Sequence, residues 1–367
     1  MTLFHGRGYT RASMKFAVEA RHGLSRAGRI ETAHGSFETP AFMPCGTKAA
    51  VKGIEPRELR AAGIEILLSN TYHLALRPGE DRVAELGGLH RFMSWDGPIL
   101  TDSGGYQVFS LAELRKISDE GVTFQSHLDG ATVKFTPERV IEIQEKLGSD
   151  ILMPLDEPIP FPPDPKVARS ALDRTHAWWK RSRATKGGAL FGIVQGSIVP
   201  ELRRESAETI AASDPPGFAL GGFSMGEPMP QMVEMVGYTT SLLPGSKPRY
   251  LMGVGTPGDI LAGVRAGVDL FDCILPTRMG RTGVAFTSAG IVRIRNAKHA
   301  SDRGPLDPAC PGPCCTLYTR AYLRHCFNVD EMLGPKLLSL HNVTYYGRLM
   351  ARIRSAIRDG SIDSLKP

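Results

Sequence analysis

Seven short apolar runs in the first 280 residues constrain this chain more than any other feature. They are Ile66 to Leu74, Pro98 to Phe109, Asp150 to Glu157, Leu190 to Ser197, Phe218 to Glu227, Tyr250 to Gly255 and Val268 to Arg278. The runs are continuous rather than alternating, as in strands buried on both faces of a parallel sheet covered by helices. Five of them end on a carboxylate, an amide or a glycine turn: Asp102, Asp156, Gln195, Gly221-Gly222 and Asp272. Between the runs, Thr136-Pro137-Glu138, Pro200 and Thr256-Pro257 mark helix starts, since proline suits the first helical position and an acid suits the helix dipole. Strand and helix repeated in this order predict an α/β fold, a (β/α)8 TIM barrel whose functional groups sit at the carboxyl ends of the strands. A doubly wound open sheet is the competing architecture.

At 367 residues the chain has room for one large barrel and an appendage. No apolar stretch approaches the roughly 20 residues of a membrane span, and the first residues lack the apolar segment of a signal peptide. A cytoplasmic protein without a membrane partner is expected. The formal charge is only +6, but residues 275–367 carry a net of +8 and the first 274 a net of −2. Clustered positive charge suits a nucleic-acid partner, because each neutralised phosphate releases a counterion, and it equally suits a solvated surface.

Three of the six cysteines, Cys310, Cys314 and Cys315, fall within six residues in a turn-rich loop, with His341 downstream. Thiolate and imidazole ligands suit tetrahedral zinc, so the reading is a structural zinc site rather than disulfides, with plain buried thiols as the alternative. The stretch from Leu317 to Ile353 reads as two amphipathic helices, and Cys45, Cys273 and Cys326 read as packing residues.

Asp102 and Asp272 end different strands, Asp102 before Ser103-Gly104-Gly105 and Asp272 before Pro276. Two acids facing a sugar carbon can run a double displacement, one attacking and the other handling protons. A lone strand-end Asp is as readily a helix cap or ion-pair partner. Asp156, Gln195 and the Gly221-Gly222 turn change the balance: a carboxylate, an amide and a free backbone N–H are the set needed to read a guanine-like edge. Tyr106 and Met252 are placed to sandwich such a base, or to be core residues.

SNTYHL, LTDSGGYQVFSL, the LDE at 155–157, GIVQGS, ALGGFSMGE, YLMGVGTP, DLFDCILPTRMGR and the final RAYLRH and LLSLHN resemble the bacterial tRNA-guanine transglycosylases, or queuine tRNA-ribosyltransferases. The resemblance runs from about Phe16 to about Asp359, and its motifs are long and ordered. It implies a pentosyltransferase that replaces guanine at the wobble position of tRNAs with GUN anticodons by 7-aminomethyl-7-deazaguanine, in queuosine biosynthesis. By motif position, Asp272 is implied as the nucleophile of a covalent ribosyl intermediate and Asp102 as the general acid/base. Asp156, Gln195 and Gly222 would grip the base, with Asp102, Ser103, Gly104, Gly105, Tyr106 and Met252 lining the pocket. Glu227 matches an acid that orients a peptide group toward the aminomethyl arm. Gly253, Val254, Gly255, Thr256, Pro257, Gly258 and Asp259, with Thr277, Arg278, Met279, Gly280 and Arg281, match the RNA-binding regions. A homodimer with one structural zinc per subunit is implied as well.

Two departures from the family pattern stand out. The family's metal motif is CxCxxC followed by a distant His; here Cys310, Cys315 and His341 keep their places, but Gly312 takes the second ligand position and Cys314 is extra. The expectation is that a loop shift lets Cys314 supply the missing thiolate. Pro158, Phe223 and Met225 replace the usual Cys, Leu and Val of the pocket, and the bulk at 225 favours the smaller precursor base over queuine. The expected organisation is a barrel over residues 1–300, a zinc-binding subdomain over 301–345 and a C-terminal helix over 346–367.

Overall fold

The computed structural model describes residues 14–111, 115–185 and 187–367. Eight parallel strands close into a barrel. In chain order they are Ala41–Pro44, Leu67–Ser69, Ile99–Thr101, Ile151–Leu152, a fifth made of Ala189–Leu190 and Gly192–Val194, then Phe218–Leu220, Arg249–Leu251 and Leu270–Cys273. Each pairs with the next, and the eighth returns to the first through Leu270↔Ala41 to Cys273↔Pro44. The first and second strands meet through the Cys45↔Leu68 bridge, with Gly46 N donating to Leu68 O at 2.6 Å. The fifth strand switches partners at Phe191: residues before it pair back to the fourth strand and residues after it pair on to the sixth.

Parity decides which side chains fill the barrel. Successive strand residues point to opposite faces. Met43, Cys45, Ile66, Leu68, Leu100, Ile151, Phe191, Ile193, Ala219, Tyr250 and Leu270 therefore form one interior cluster. Their neighbours Phe42, Leu152, Val194, Leu220, Leu251 and Phe271 pack outward against the helices. One step beyond the interior residues, Leu100 leads to Asp102, Ile193 to Gln195 and Leu270 to Asp272, so the inward face turns polar at the carboxyl rim.

The other end is sealed by an antiparallel sheet of Lys15–His22, Ser25–Thr32 and Gly35–Thr39. Its Ile30 and Phe37 are fully buried in the interior cluster. Arg26, also buried, pairs with Asp269 just before the eighth strand and donates to the carbonyls of Gly245 and Lys247.

Helices Pro165–Ala184, Pro200–Ala211, Met229–Ser241 and Pro257–Arg265 follow strands four to seven. Pro137–Leu147 and Pro257–Arg265 begin at the caps read from sequence, with Thr136 and Thr256 accepting from the N–H of Arg139 and Asp259. A second antiparallel sheet, Arg115–Ser118, Gly121–Gln125 and Thr132–Phe135, is inserted after the third strand. After the eighth strand come helix Leu275–Arg281, the hairpin Val284–Thr287 and Gly290–Arg293, and the two amphipathic helices, Arg320–Asn328 and Leu333–Arg358. The last helix runs unbroken from Leu333 to Arg358, across the expected boundary between residues 345 and 346. Leu337 and Leu338 pack with the cysteine loop, while Tyr346, Leu349, Met350 and Ile353 belong to the outer core of the barrel, so one rod couples the two. Among the described residues no helix is long and apolar enough to cross a membrane.

Candidate active site and metal centre

Asp102 and Asp272 face each other's field inside the barrel mouth. Asp102 Oδ2 accepts from Asn70 Nδ2 at 2.5 Å, and its Oδ1 accepts from the N–H of Thr71 at 2.9 Å and of Gly104 at 3.2 Å. Gly104 lies at φ +77°, a conformation that costs a glycine little and lets its N–H turn back onto the carboxylate. Burial is the largest influence on Asp102 and outweighs the Asn70 and Thr71 donors; together with the Asp272 charge it lifts the pKa to about 6.

Asp272 Oδ1 accepts from Tyr250 Oη at 2.6 Å and from the N–H of Gly253 at 2.7 Å, and Cys45 Sγ lies 3.6 Å from Oδ2. Burial raises this carboxyl too, against the pull of those donors. The carboxylate in turn pushes the Tyr250 hydroxyl and the Cys45 thiol well up, behind the larger effect of their own burial, so both remain protonated donors. Cys45 is therefore more than the packing residue the sequence suggested.

The base-reading set assembles beside them. Asp156 Oδ2 accepts from Gln195 Nε2 at 2.7 Å, and Ser103 Oγ donates to Oδ1 at 3.4 Å. Burial raises Asp156 to about 6 in spite of these donors. A Cβ on Gly105 would sit 3.0 Å from Asp156 O and 3.2 Å from its Oδ1, so a side chain there would crowd this carboxylate. Gln195 Oε1 is buried without a partner, an acceptor aimed at no protein donor. Any side chain at Gly222 would overlap that oxygen. Tyr106 is 55 % exposed at the start of helix Gly105–Leu111, and Met252 is half-buried. Glu227 accepts from the N–H of Ser224 at 2.5 Å and of Met225 at 2.9 Å and so fixes the Phe223–Met225 turn.

The segments expected to meet RNA divide. Gly253, Thr256 and Arg278 are exposed, Gly258, Asp259, Met279 and Arg281 are half-buried, and Val254, Gly255 and Pro257 are buried. Gly255 O accepts from Tyr346 Oη at 2.5 Å, which pins the loop to the last helix. Thr277 and Gly280 are buried against that helix: Thr277 O accepts from Ser339 Oγ, and a Cβ on Gly280 would come within 2.5 Å of Ser339 N. Those two positions shape the segment rather than present side chains.

Cys310, Cys315 and His341 bring their ligand atoms within 4.8 Å of one another. His341 Nε2 donates to Phe286 O at 2.8 Å, and Nδ1 lies 3.2 Å from Cys315 Sγ, the arrangement of a ligating imidazole whose second nitrogen is oriented by a carbonyl. Two thiols and an imidazole fit a borderline-soft ion such as zinc. Cys314 does not join this group, contrary to the sequence-based expectation. It sits next to Cys315 in the short helix Pro313–Thr316, where neighbours point about 100° apart, and is fully buried in the cluster with Leu306 and Leu323.

Residues 21–367 match the family model described as queuine tRNA-ribosyltransferase. The chain belongs to the queuine tRNA-ribosyltransferase family. A relative of that name from Herpetosiphon aurantiacus is 54% identical over 93% of this chain and 88% of its own length. Those from Granulibacter bethesdensis and Zymomonas mobilis are 52% and 49% identical, over 96% and 95% of this chain and 94% and 93% of theirs. Membership makes the chain a pentosyltransferase in class.

Three residues around the site of this queuine tRNA-ribosyltransferase family member had no role in the sequence reading: Asn70 and Tyr250 beside the carboxylates, and Arg203 behind the Gly222 turn. Asn70 directly follows the second strand, and Tyr250 lies on the inward parity of the seventh. Arg203, fully buried, donates to Ser197 O at 2.7 Å and Val194 O at 3.0 Å and stacks 3.9 Å from the Phe223 ring, bracing the end of strand five against the Gly222 turn. Burial lowers its pKa to about 9. An arginine on helix Pro200–Ala211 gives no sequence signal of this, because the apolar ring and carbonyls it meets lie on other elements.

Proposed function

We propose that this protein exchanges guanine at the wobble position of tRNAs with GUN anticodons for 7-aminomethyl-7-deazaguanine, the step that commits a tRNA to queuosine. The observation that carries this reading is the pairing of Asp102 and Asp272 in one buried mouth, each with its own donors and each within the other's field. Asp272 attacks the ribose C1′ from the face opposite the base. The C1′–O bond forms as the C1′–N9 bond breaks, and guanine leaves with the electron pair and takes up a proton from Asp102. The incoming base gives its N9 proton to Asp102 and attacks C1′, and the ester to Asp272 breaks. A carboxyl with a pKa of about 6 suits a group that must give and take a proton near neutrality.

Asp156 accepts from N1–H and the 2-amino group, while Gln195 and the Gly222 N–H hold the O6 edge. Ser103, Gly104 and Gly105 form the floor, Tyr106 stacks on one face, and Met252 closes the other. Glu227 keeps the Phe223 carbonyl turned toward an aminomethyl arm by holding the Ser224 and Met225 amides. Met225 and Phe223 narrow that side, which favours the precursor over queuine.

Arg278 and Arg281 contact anticodon-loop phosphates and base edges, with the Gly253–Asp259 loop beside them. The target base leaves its stack to reach the acids, at low cost in a loop. Zinc held by Cys310, Cys315 and His341 ties the cysteine loop to the last helix, a structural role. Residues 301–345 serve as an accessory unit on the barrel, the protein works as a homodimer, and it acts in the cytoplasm, where its tRNA substrate is.

Incubation with a GUN tRNA and labelled 7-aminomethyl-7-deazaguanine tests the exchange. Label enters the tRNA with release of one guanine per base incorporated, and faster than queuine does. Incorporation without guanine release, or only into tRNAs lacking a wobble guanine, contradicts the reading.

A further inference from the structure

We propose that this chain gives its metal only three protein ligands, Cys310, Cys315 and His341, and leaves a fourth position beside Gly312 open to a small exogenous ligand. The inference rests on the metal reading above and deepens it. A Cβ built on Gly312 points at the cluster, 3.4 Å from Cys310 Sγ and 3.6 Å from Thr344 Oγ1. A fourth thiolate from residue 312 would enter from that direction, and this chain has no side chain there.

Among the described residues no fourth side chain joins the ligand group. Cys314 is buried beside Cys315, but its sulfur is not among the ligand atoms that lie within 4.8 Å of one another. Asp307 is buried, but its oxygens already accept from Ser288 N, Ser288 Oγ and Ala309 N. Thr344 Oγ1 donates to Leu340 O at 2.9 Å, which leaves lone pairs free to accept from a water on the ion. Three protein ligands and an exchangeable water are the coordination pattern of open zinc sites rather than closed ones. Leu306, Leu323, Phe327, Leu337 and Leu338 pack in the same buried cluster as the cysteines, so apolar contacts as well as the ion hold the loop. The ion is thus held more weakly than in a four-ligand site and is reachable by small thiols and chelators.

Gly312→Cys is the decisive variant, since Gly312 lies at φ −69°, ψ 156°, open to any residue, and the nearest atom to the new Cβ is at ordinary contact distance. Purified full-length protein is loaded with Co2+, and thiolate-to-cobalt charge-transfer absorption counts the bound thiolates. Wild type should show two, Cys314→Ser also two, and Gly312→Cys three. A direct ligand is worth at least as much as groups that only orient ligands, so loss of zinc to a chromophoric chelator should slow by roughly 10–100-fold in Gly312→Cys. Three thiolates in wild type, falling to two in Cys314→Ser, overturn the open position while leaving the metal reading intact. Failure of folded wild type to hold stoichiometric Co2+ or Zn2+ overturns both. Far-ultraviolet circular dichroism on each sample separates loss of ligand from loss of fold.

Discussion

The Tyr250 hydroxyl donates to the Asp272 carboxylate at 2.6 Å, from the seventh barrel strand to the eighth. Both residues are buried, and among the described residues the carboxylate sets this bond, the Gly253 N–H and a weak thiol contact against the cost of its burial. A hydrogen bond to a buried charge is worth about 1.5–3 kcal/mol. Tyr250→Phe should therefore lower kcat roughly 10–100-fold and shift the acid limb of its pH profile upward, because Asp272 loses a donor that favours its ionised form. Equilibrium denaturation run alongside distinguishes this from loss of fold: a lower Tm with an unmoved acid limb refutes the positioning role.

Asp156 must be ionised to accept from two donors of the base. Its pKa in the free protein is raised to about 6, so kcat/KM for the incoming base should rise as pH climbs through 6 and level off above 7. Asp156→Asn keeps the shape but turns one acceptor into a donor, and should lose on the order of 10²-fold in kcat/KM. A flat profile between pH 5 and 7.5 would count against the assignment.

Ionising Asp102 in its buried site works against the fold. Its folded pKa, about 6, exceeds the unfolded value of 3.8. The stability it contributes is present in full below pH 3.8 and is lost as pH rises through 6. Asp102→Asn, with the Asn70 amide flipped to match, should be more stable than wild type by about 1–3 kcal/mol at pH 7.5 while inactive. The gap should close near pH 4; chemical denaturation at the two pH values measures it, and a gap that widens on acidification contradicts the sign.

Arg278 and Gly280 sit two residues apart on helix Leu275–Arg281 and should fail in different ways. Arg278→Ala should leave Tm unchanged and flatten the salt dependence of tRNA binding by about one unit of slope. Gly280→Ala drives a methyl into the Ser339 backbone and should cost about 1–3 kcal/mol of stability. An equal salt slope in wild type and Arg278→Ala removes Arg278 from the RNA surface.

Much of the barrel is legible because buried parallel strands leave continuous apolar runs, and seven of the eight strands lie in or beside such runs. The missed one, Ala41–Pro44, is four residues long and bounded by Pro40 and Pro44, so it reads as a loop. The sheet that plugs the barrel is also invisible to a search for continuous runs. Lys15–His22 alternates exposed and half-buried residues along its length. Asp102, Gln195 and Asp272 are readable because each stands two residues past an inward apolar neighbour. Cys45 is not, since its contact with Asp272 exists only because the first strand closes on the eighth, more than 200 positions away. Cys314 misleads for a local reason: it stands next to Cys315 in sequence, and only the folded loop shows that its sulfur stays outside the ligand group.

The most direct test is to trap the intermediate with a GUN tRNA and 9-deazaguanine, a base analogue with carbon in place of N9, which fills the base pocket without displacing the ester. Wild type should run as a protein–RNA adduct on a denaturing gel, with the ribose ester mapped to the peptide containing Asp272, and Asp272→Asn should give none. An adduct of equal yield in Asp272→Asn, or one mapped to Asp102, would contradict the account.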